Sequence, residues 1–135
     1  MKLLHIPTNY IAQVWEKVSP FIANALEYAE DDYNLDQVKV YLSTGQWTLI
    51  AVANEKEEVV GALTVSFSNR PNDRLAFITT IGGRLISNKD TYTQLCNILK
   101  SFGATKVQGA ARESIARLWR KLGFRERYTI VENKL

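Results

Sequence analysis

The chain has 135 residues, of which 46% are hydrophobic and 23% are charged. This is the length of one domain and the composition of a globular protein rather than a disordered one. No apolar run approaches the ~20 residues that span a bilayer, and His5 and Pro7 interrupt the start of the chain, so we expect no signal peptide. The only cysteine, Cys96, excludes an intramolecular disulfide. With one His and one Cys, neither a Cys/His metal site nor an ordinary Cys-His nucleophile is expected.

The charge is uneven along the chain. The formal net charge is +3, and residues 100–135 carry nine Lys or Arg against three Asp or Glu. Such a basic end suits a phosphate-bearing ligand, a nucleic acid or an acidic protein surface, although a solvated helix face with a basic bias explains it equally well. Nucleic acid is not expected, because no stacking aromatic residues alternate with the basic ones and no reading module is present.

The first third of the chain predicts a strand and three helices. Residues 2–6 suit a short strand, and the apolar spacing from Ile11 onward is helical. The pair Ser19-Pro20 predicts the end of that helix and the start of a second one, with Ser19 as N-cap. A third short helix runs from Leu35 and stops at Gly45. Acidic residues cluster between the second and third helices: Glu27, Glu30, Asp31, Asp32 and Asp36.

The middle of the chain predicts an antiparallel meander. Residues 47–53 form a nearly continuous apolar run, which is typical of a central strand covered on both faces. Residues 63–68 alternate apolar side chains with Thr64 and two serines, which predicts a strand with one wet face. Residues 75–81 form the third strand, and polar turns separate the three.

The last third alternates helix and strand. Ser87 resembles the N-cap of a helix that ends at Gly103, and residues 106–108 suit a short strand. The final helix, with Trp119 on its apolar face, is closed by Gly123, and residues 128–131 predict a terminal strand. One parallel strand pair in this order needs a helical crossover.

Between the third strand and the helix at Ser87 stands Gly82-Gly83-Arg84. A strand, a glycine turn and a helix N-terminus together can make an anion site, because the bare backbone and the positive end of the helix dipole favour phosphate. A Gly-Gly pair is more often only a turn, and no P-loop or dinucleotide fingerprint accompanies it.

The C-terminal residues 112–124 resemble the closing motif of the GNAT fold, the Gcn5-related N-acetyltransferases. Leu118, Leu122, Gly123 and Phe124 stand where that motif has them. The order of elements is also similar over essentially the whole chain: N-terminal helices, a meander, a helix, a strand, a helix and a terminal strand. The resemblance implies a single α/β domain over residues 1–135, with a twisted, mixed, mostly antiparallel sheet flanked by helices.

The chain is also similar to a short GNAT-like group that is frequent in tailed-phage genomes. The shared features are Trp15 in an early helix, Trp47 at the start of a strand, Gly82-Gly83, a helix ending at Gly103 and an Arg-rich final helix. Some members of that group are packaged in the virion. This likeness implies a location in the virion or the host cytoplasm.

The resemblance implies acetyl-coenzyme A as the cofactor and no metal, if the cofactor cleft is retained. The strand before the glycines would hold the pantetheine arm by backbone hydrogen bonds, and the glycines with the following helix terminus would hold the pyrophosphate. The residues so implied are Thr79, Thr80, Ile81, Gly82, Gly83, Arg84 and Ser87.

Several positions depart from the family pattern. The glycines come too early, so Leu85 and Ile86 place side chains where bare backbone faces phosphate in the family. Trp119 replaces the Tyr that protonates the departing thiolate, and an indole N–H is a donor that cannot supply a proton as a phenol can. Arg112 replaces an Asn. Water or Tyr92 could stand in as the acid, so no catalytic residue is assigned.

The remaining candidates have structural interpretations. We expect the carboxylates near residues 27–32 to be a solvated loop rather than a general base. We expect Cys96 to be an inert buried thiol, and Glu113 to pair with Arg117 four residues later. We expect the three tryptophans to pack in the core: Trp15, Trp47 and Trp119.

Two functions of different class follow. The first is a phage-type interaction protein, associated with the virion or its assembly and with weak or no catalysis. It would contact other phage or host proteins through the basic face of the final helix, which carries Arg117, Arg120 and Lys121. The alternative is an active acetyl-coenzyme A-dependent N-acetyltransferase that acts on an amine of a host protein or a small molecule.

Overall fold

The structure is a computed structural model that describes residues 1–83 and 88–135. It contains five strands and four helices, with a single 3-10 turn at Thr8–Tyr10 before the first helix. In chain order the elements are β1 (Lys2–Ile6), α1 (Ile11–Leu26), α2 (Leu35–Ser43), β2 (Trp47–Ala53), β3 (Val59–Asn69), β4 (Arg74–Gly83), α3 (Lys89–Ser101), β5 (Lys106–Gly109) and α4 (Glu113–Arg120).

The strands form one sheet in the order β1-β2-β3-β4-β5. The first three pairings are antiparallel, and β4 pairs with β5 in parallel. The helical crossover that this parallel pair requires is α3. The predicted mixed, mostly antiparallel sheet is therefore confirmed. Over the described ranges, no helix is long and apolar enough to cross a membrane.

Helices cover both faces of the sheet. One core joins Ile50, Leu63 and Ile78 with α3 and with Trp119 of α4. The other joins Leu49 and Ala51 with the buried sides of α1 and α2. Alternate residues of β2 and β3 thus enter different cores, which is why β2 has the continuous apolar run of a strand covered twice.

The sequence predicted two helices divided at Ser19-Pro20, but the structure shows one continuous helix there. Helix α1 runs through Pro20, which is exposed. The buried residues Ile11, Val18 and Ile22 form one stripe that continues across the proline. Packing of this stripe against the sheet outweighs the lost backbone hydrogen bond, which on an exposed interior position costs about 3 kcal/mol.

Asparagine side chains cap the N-termini of the next two helices. The expected helix at Leu35 is confirmed, and Asn34 caps it in a reciprocal capping box with Gln37. The cap of α3 is Asn88, whose side chain accepts a hydrogen bond from the N–H of Thr91 at 3.0 Å. The prediction of Ser87 as the N-cap is therefore wrong by one residue, since Asn and Ser are equally good caps in sequence.

The predicted wet face of β3 is only partly correct. Ser68 is exposed and Ser66 is half-buried, but Thr64 has no exposed surface at all. Helix α1 covers the sheet at that position, and a Thr can be buried there because its hydroxyl has partners across the strand.

The predicted terminal strand at residues 128–131 is not formed. After α4 the chain continues without regular structure to Leu135. The expected pair of Glu113 with Arg117 is also wrong, because the Glu113 carboxylate binds Arg120 instead, at 3.0 Å. The Arg120 guanidinium also binds Glu126 in the irregular segment, so it holds that segment against the helix.

Candidate functional site

The candidate site lies where β4 and β5 part. Pairing between them covers only residues 75–78 of β4 and Lys106–Gly109 of β5. Strand β4 then continues for five more residues, to Gly83, still paired with β3 on its other side. We call residues 79–83 the open edge of β4, because β5 does not pair with them and, within residues 1–83 and 88–135, no other strand does on that side.

A β-bulge begins this open edge. Thr64 of β3 lies opposite Thr80, whereas Val65 lies opposite Ile78, so Thr79 is the extra residue. Ile78 and Ile81 both pack in the core below α3 and α4. The bulge therefore turns two consecutive side chains, those of Thr79 and Thr80, to the opposite face, which α1 covers.

Three threonine hydroxyls meet on that face. The Thr64 hydroxyl lies 2.7 Å from the Thr79 hydroxyl and 2.6 Å from the Thr80 hydroxyl. Thr64 and Thr80 are buried, and Thr79 is half-buried. Because each hydroxyl can donate one hydrogen bond and accept others, Thr64 can bond both partners at once. These contacts fix the bulge and hence the direction of the main-chain groups along the open edge.

The predicted glycine turn is wrong, because Gly82 and Gly83 are the last residues of β4 and pair with Ala62 and Gly61. Their function in the fold is close packing. A Cβ on Gly82 would lie 2.1 Å from the carbonyl oxygen of Phe21 in α1. Gly83 has a φ of +87°, and a Cβ there would lie 2.5 Å from the carbonyl oxygen of Val60. These glycines thus let α1 approach the sheet, and Phe21 occupies the space that they leave.

Two of the implied pyrophosphate contacts, Arg84 and Ser87, lie outside the described residues. The fit of acetyl-coenzyme A can therefore be tested only at the pantetheine end. There the side of residues 79–83 that faces away from β3 offers alternate N–H and C=O groups, which the amides of a pantetheine arm need. The chain fits the cofactor at this end.

Trp119, which stands at the position of the family's Tyr, is only 7% exposed. A Cβ on Gly109, the last residue of β5, would lie 2.8 Å from Cζ3 of the indole. The ring of Phe124 packs against the indole, with ring centroids 5.2 Å apart. The indole therefore fills the core beside the point where β5 leaves β4. The predictions that Trp119 and Trp47 are core residues are confirmed. Trp15 is only half-buried.

Tyr92, the other phenol considered as an acid, packs in the core beside Phe124, with ring centroids 5.6 Å apart. Burial, together with a hydrogen bond to Cys96, raises the pKa of Tyr92 to about 12. A free thiol has a pKa of about 8.5. Because its pKa lies further above that of a thiol than the pKa of an ordinary phenol does, the Tyr92 phenol is a weaker acid toward a departing thiolate than an ordinary tyrosine is. Cys96 is half-buried on the same helix.

The predicted general-base candidates are solvated. Glu27, Glu30, Asp31 and Asp32 are all exposed in the irregular segment after α1. One contact ties this segment to the start of α4, since the Arg112 guanidinium stacks 4.0 Å from the centre of the Tyr28 ring. Arg112, at the position of the family's Asn, thus joins the segment after α1 to the start of α4.

Two concave regions lie elsewhere. A groove of about 620 Å³ runs between β5, α4 and the irregular C-terminal segment. A smaller hollow of about 220 Å³ is lined by Arg70, Lys106 and Arg127, with Asp73 bound to Lys106 at 3.1 Å. Neither includes residues of the open edge. Within residues 1–83 and 88–135, no cluster of three His, Cys, Asp or Glu side chains could hold a metal ion.

The sequence located Thr79, Thr80 and Ile81 on the correct strand but missed Thr64 and Phe21. A buried Thr in an otherwise apolar strand core is the signal that points to Thr64. The Gly-Gly pair is the signal that points to Phe21, since adjacent glycines inside a strand indicate a close backbone approach. The basic residues Arg117, Arg120 and Lys121 are exposed on α4, as predicted, although Arg120 is already paired.

Comparisons with known proteins bear on the fold. No family model matches the chain, and no curated protein matches it in sequence. Solved structures do match over their whole length. An aminoglycoside acetyltransferase from an uncultured soil metagenomic sample has a TM-score of 0.70 and 15% identity, with 99% of this chain and 97% of that chain covered.

Two further structures give the same result. A probable acetyltransferase has a TM-score of 0.69 at 11% identity, with 100% and 97% of the two chains covered. A ribosomal-protein-alanine N-acetyltransferase from Brucella melitensis biovar Abortus 2308 has a TM-score of 0.66 at 11% identity, with both chains covered completely. The shared element order, the parting of β4 from β5 and these likenesses show that the chain has the GNAT acetyltransferase fold.

Proposed function

We propose that this chain binds an acyl-coenzyme A along the open edge of β4 and transfers its acyl group slowly to an amine. The observation that carries the proposal is that residues 79–83, which begin with the bulge at Thr79, pair with β3 but not with β5 in the described part of the chain. The carboxyl end of a strand, at the point where two neighbouring strands part, is where open α/β sheets commonly bind ligands.

When bound, the acyl-coenzyme A would supply a thioester, whose carbonyl carbon would bond to the amine nitrogen as the C–S bond broke, and the proton of the amine would pass to water because no base is assigned. The main-chain N–H groups around the bulge are the donors that this chain offers to the carbonyl oxygen. Because the three threonine hydroxyls fix the bulge, these donors need no rearrangement before the reaction. Successive strand residues direct their N–H groups to opposite sides, so one of the amides of residues 80 and 81 faces away from β3 and would be available to the pantetheine arm.

Neither of the two side chains considered as the acid, those of Trp119 and Tyr92, is an efficient proton donor for the leaving thiolate. The Trp119 indole is buried and cannot give up a proton, and the Tyr92 phenol has a pKa raised to about 12. Water therefore protonates the thiolate. A positioned general acid contributes about 10²–10⁴ in rate, so we expect turnover below that of an acetyltransferase with an exposed Tyr by a factor within this range.

A titration of the purified chain with acetyl-coenzyme A tests the binding step, with heat as the readout. We expect saturable binding that weakens at least about tenfold in Arg84→Ala, since a charge-assisted phosphate contact is worth about 1.5–3 kcal/mol. Arg70→Ala is the matched control, because Arg70 lies in the turn at the other end of β4 and lines the separate small hollow. Equal affinity of the two variants would contradict the assignment of Arg84, and no heat at millimolar cofactor would contradict the proposal.

A second function is supported by the burial of Trp119 and the exposed basic face of α4. In this proposal the chain is a phage-type interaction protein of the virion or its assembly that retains the scaffold with little catalysis. Arg117 and Lys121 would contact an acidic protein surface. Arg120 is left out of this contact because it already binds the carboxylates of Glu113 and Glu126. Charge reversal in Arg117→Glu should weaken that contact, with Arg70→Glu as control, and absence of the protein from purified particles would exclude the virion role.

A further inference from the structure

The small hollow lies at the opposite end of β4 from the open edge. Its volume is about 220 Å³, and it is lined by the turn between β3 and β4, by β5 and by Arg127 of the C-terminal segment, residues 124–135. At the rise of a strand, about 3.3 Å per residue, Leu75 in its wall lies about 20 Å from Ile81 in the open edge. The hollow is therefore separate from the proposed acyl-coenzyme A site.

Positive charge is concentrated in this hollow. Three cationic side chains line it, those of Arg70, Lys106 and Arg127. Among the described residues of its wall, only Asp73 carries a carboxylate, so three positive charges against one negative leave a net charge of +2. A concave surface of one charge sign concentrates counter-ions of the opposite sign. The hollow therefore favours an anion.

The Asp73 carboxylate is engaged by its neighbours. Its Oδ2 lies 3.1 Å from the Lys106 ammonium, and its Oδ1 accepts a hydrogen bond from the Thr105 hydroxyl at 3.0 Å. These two contacts lower the pKa of Asp73, and the charge of Arg127 acts in the same direction. Within residues 1–83 and 88–135, neither Arg70 nor Arg127 forms an ion pair. Asp73 thus holds Lys106 in place and leaves both guanidinium groups to a ligand.

Hydrogen bonds hold the walls that carry Arg70 and Lys106 together. The Arg70 N–H donates to the Asp73 carbonyl at 2.7 Å, and the Asp73 N–H donates back to the Arg70 carbonyl at 3.4 Å. Pro71 at the first central position restricts this turn further. The Thr105 N–H donates to the Arg74 carbonyl at 2.8 Å, which ties β5 to the end of the turn. Because these walls are fixed in advance, a ligand has less order to impose on binding.

The arrangement of the cations selects the kind of anion. Arg70 comes from the turn, Lys106 from β5 and Arg127 from the C-terminal segment, so they approach the hollow from three elements. The Arg127 guanidinium lies 5.5 Å from the centre of the Tyr128 ring, and a stacked guanidinium keeps its N–H groups available in its own plane.

A phosphoryl group matches such a set of donors. It carries about two negative charges and three acceptor oxygens that point in different directions, and guanidinium groups bind these oxygens bidentately. A carboxylate has one charge and two oxygens in one plane, so it satisfies one guanidinium at a time. The hollow is smaller than the clefts of about 300–1,000 Å³ that enclose drug-sized ligands, so its occupant is small.

We propose that the small hollow binds a phosphoryl group, as free phosphate or a small phosphate monoester, between Arg70, Lys106 and Arg127. The two guanidinium groups bind the phosphoryl oxygens, and Lys106 adds the N–H donors that Asp73 leaves unused. The half-buried Gln108 amide in the same wall is a further donor. Two charge-assisted contacts correspond to a dissociation constant on the order of 1 mM. The bound anion joins the turn between β3 and β4 to the C-terminal segment.

A nuclear magnetic resonance titration with inorganic phosphate tests the proposal. The isotopically labelled wild-type chain is titrated at pH ~8, where the phosphate is chiefly a dianion, and sodium chloride keeps the ionic strength constant. We expect saturable shifts of the amide signals of residues 70–73, Lys106 and Arg127, with unchanged signals in residues 79–83. Signals around the hollow that do not move at ten times the expected dissociation constant would overturn the proposal.

Three glutamine variants separate this site from a general effect of net charge. Arg70→Gln and Arg127→Gln each remove one guanidinium from the hollow, and each should weaken phosphate binding about tenfold. Arg117→Gln, the matched control, removes the same charge from the exposed face of α4 and should change the dissociation constant less than about twofold. All three side chains are exposed, so the circular dichroism spectra should not change. Equal weakening in all three variants would overturn the site.

Two further probes identify the chemistry of the occupant. Glycerol phosphate that binds as tightly as inorganic phosphate supports a monoester, and binding of inorganic phosphate alone supports the free ion. Malonate carries the same total charge on two carboxylates. Malonate that binds as tightly as phosphate would overturn the assignment to a phosphoryl group. No probe here is a coenzyme A or an amine, so failure of this proposal leaves the proposed acyl transfer untouched, and the reverse also holds.

Discussion

Gly82 lies so close to Phe21 that a Cβ on the glycine would be 2.1 Å from the Phe21 carbonyl oxygen. This contact joins the middle of α1 to the end of β4, where the candidate site is. Since the clashing atom belongs to backbone rather than to a flexible side chain, no rotamer change can relieve it. The two glycines therefore set the distance between α1 and the sheet at the site.

We expect Gly82→Ala to destabilise the protein by about 3 kcal/mol or more, because α1 must move to admit the methyl group. Urea unfolding followed by circular dichroism measures this change. Gly45→Ala is the control. Gly45 has a φ of +81° but its added Cβ would meet only Thr8, at 3.6 Å, so its cost is the backbone strain of about 1–2 kcal/mol. Equal costs in the two variants would show that α1 does not pack on Gly82 as described.

Thr64→Val should cost about 1–3 kcal/mol of stability, because it leaves the hydroxyls of Thr79 and Thr80 without their shared partner in a covered site. Thr64→Ser keeps the hydroxyl and should recover most of the loss. The same pair of variants tests the bulge, since acyl transfer should fall in Thr64→Val and return in Thr64→Ser. A stable, fully active Thr64→Val would show that the three hydroxyls do not fix the bulge.

Tyr92 should ionise late among the six tyrosines. Its pKa is raised from 10.0 to about 12, chiefly by burial. A raised folded-state pKa means that the neutral phenol stabilises the fold below pH ~10 and that this contribution is lost as the pH rises from ~10 to ~12. Ultraviolet titration of the wild type should show a late component that is missing in Tyr92→Phe. Acyl transfer in Tyr92→Phe should equal that of the wild type, and a large loss would identify Tyr92 as the acid.

Arg120→Gln should release the start of the C-terminal segment with little effect on overall stability. The Arg120 ion pairs are exposed, and exposed ion pairs contribute little to stability because solvent screens them. Amide hydrogen exchange should become faster in residues 124–127 and stay unchanged in β2. Arg117→Gln, which removes a neighbouring charge on the same helix, is the control. Unchanged exchange in residues 124–127 would show that Phe124 alone anchors the segment.

The sequence predicted the sheet well because its signals are local. The apolar run of Trp47–Ala53, the alternation in β3 and the glycine stops of α2 and α3 each reflect a periodicity or a cap that one segment carries alone. Thr79, Thr80 and Ile81 were placed on the correct strand for the same reason. The likeness of the final helix to the GNAT closing motif then supplied the order of the strands.

The errors come from contacts between segments. Pro20 predicted a helix break, but a buried stripe on both sides of it keeps α1 continuous. The Gly-Gly pair predicted a turn, whereas in the structure it allows α1, which comes much earlier in the chain, to pack closely against β4. Residues 128–131 have strand composition, but a strand also needs a neighbour to bond with, and no sequence pattern shows whether that neighbour is in the same chain.

The most direct test of the proposed function is a nuclear magnetic resonance titration of the isotopically labelled wild-type chain with acetyl-coenzyme A. The account predicts saturable shifts of the amide signals of Thr79, Thr80 and Ile81. The amide signals of β1, at the opposite edge of the sheet, should not shift. Signals of residues 79–81 that do not move at saturating cofactor, or shifts confined to the hollow around Arg70, would contradict the proposal that the open edge of β4 binds the cofactor.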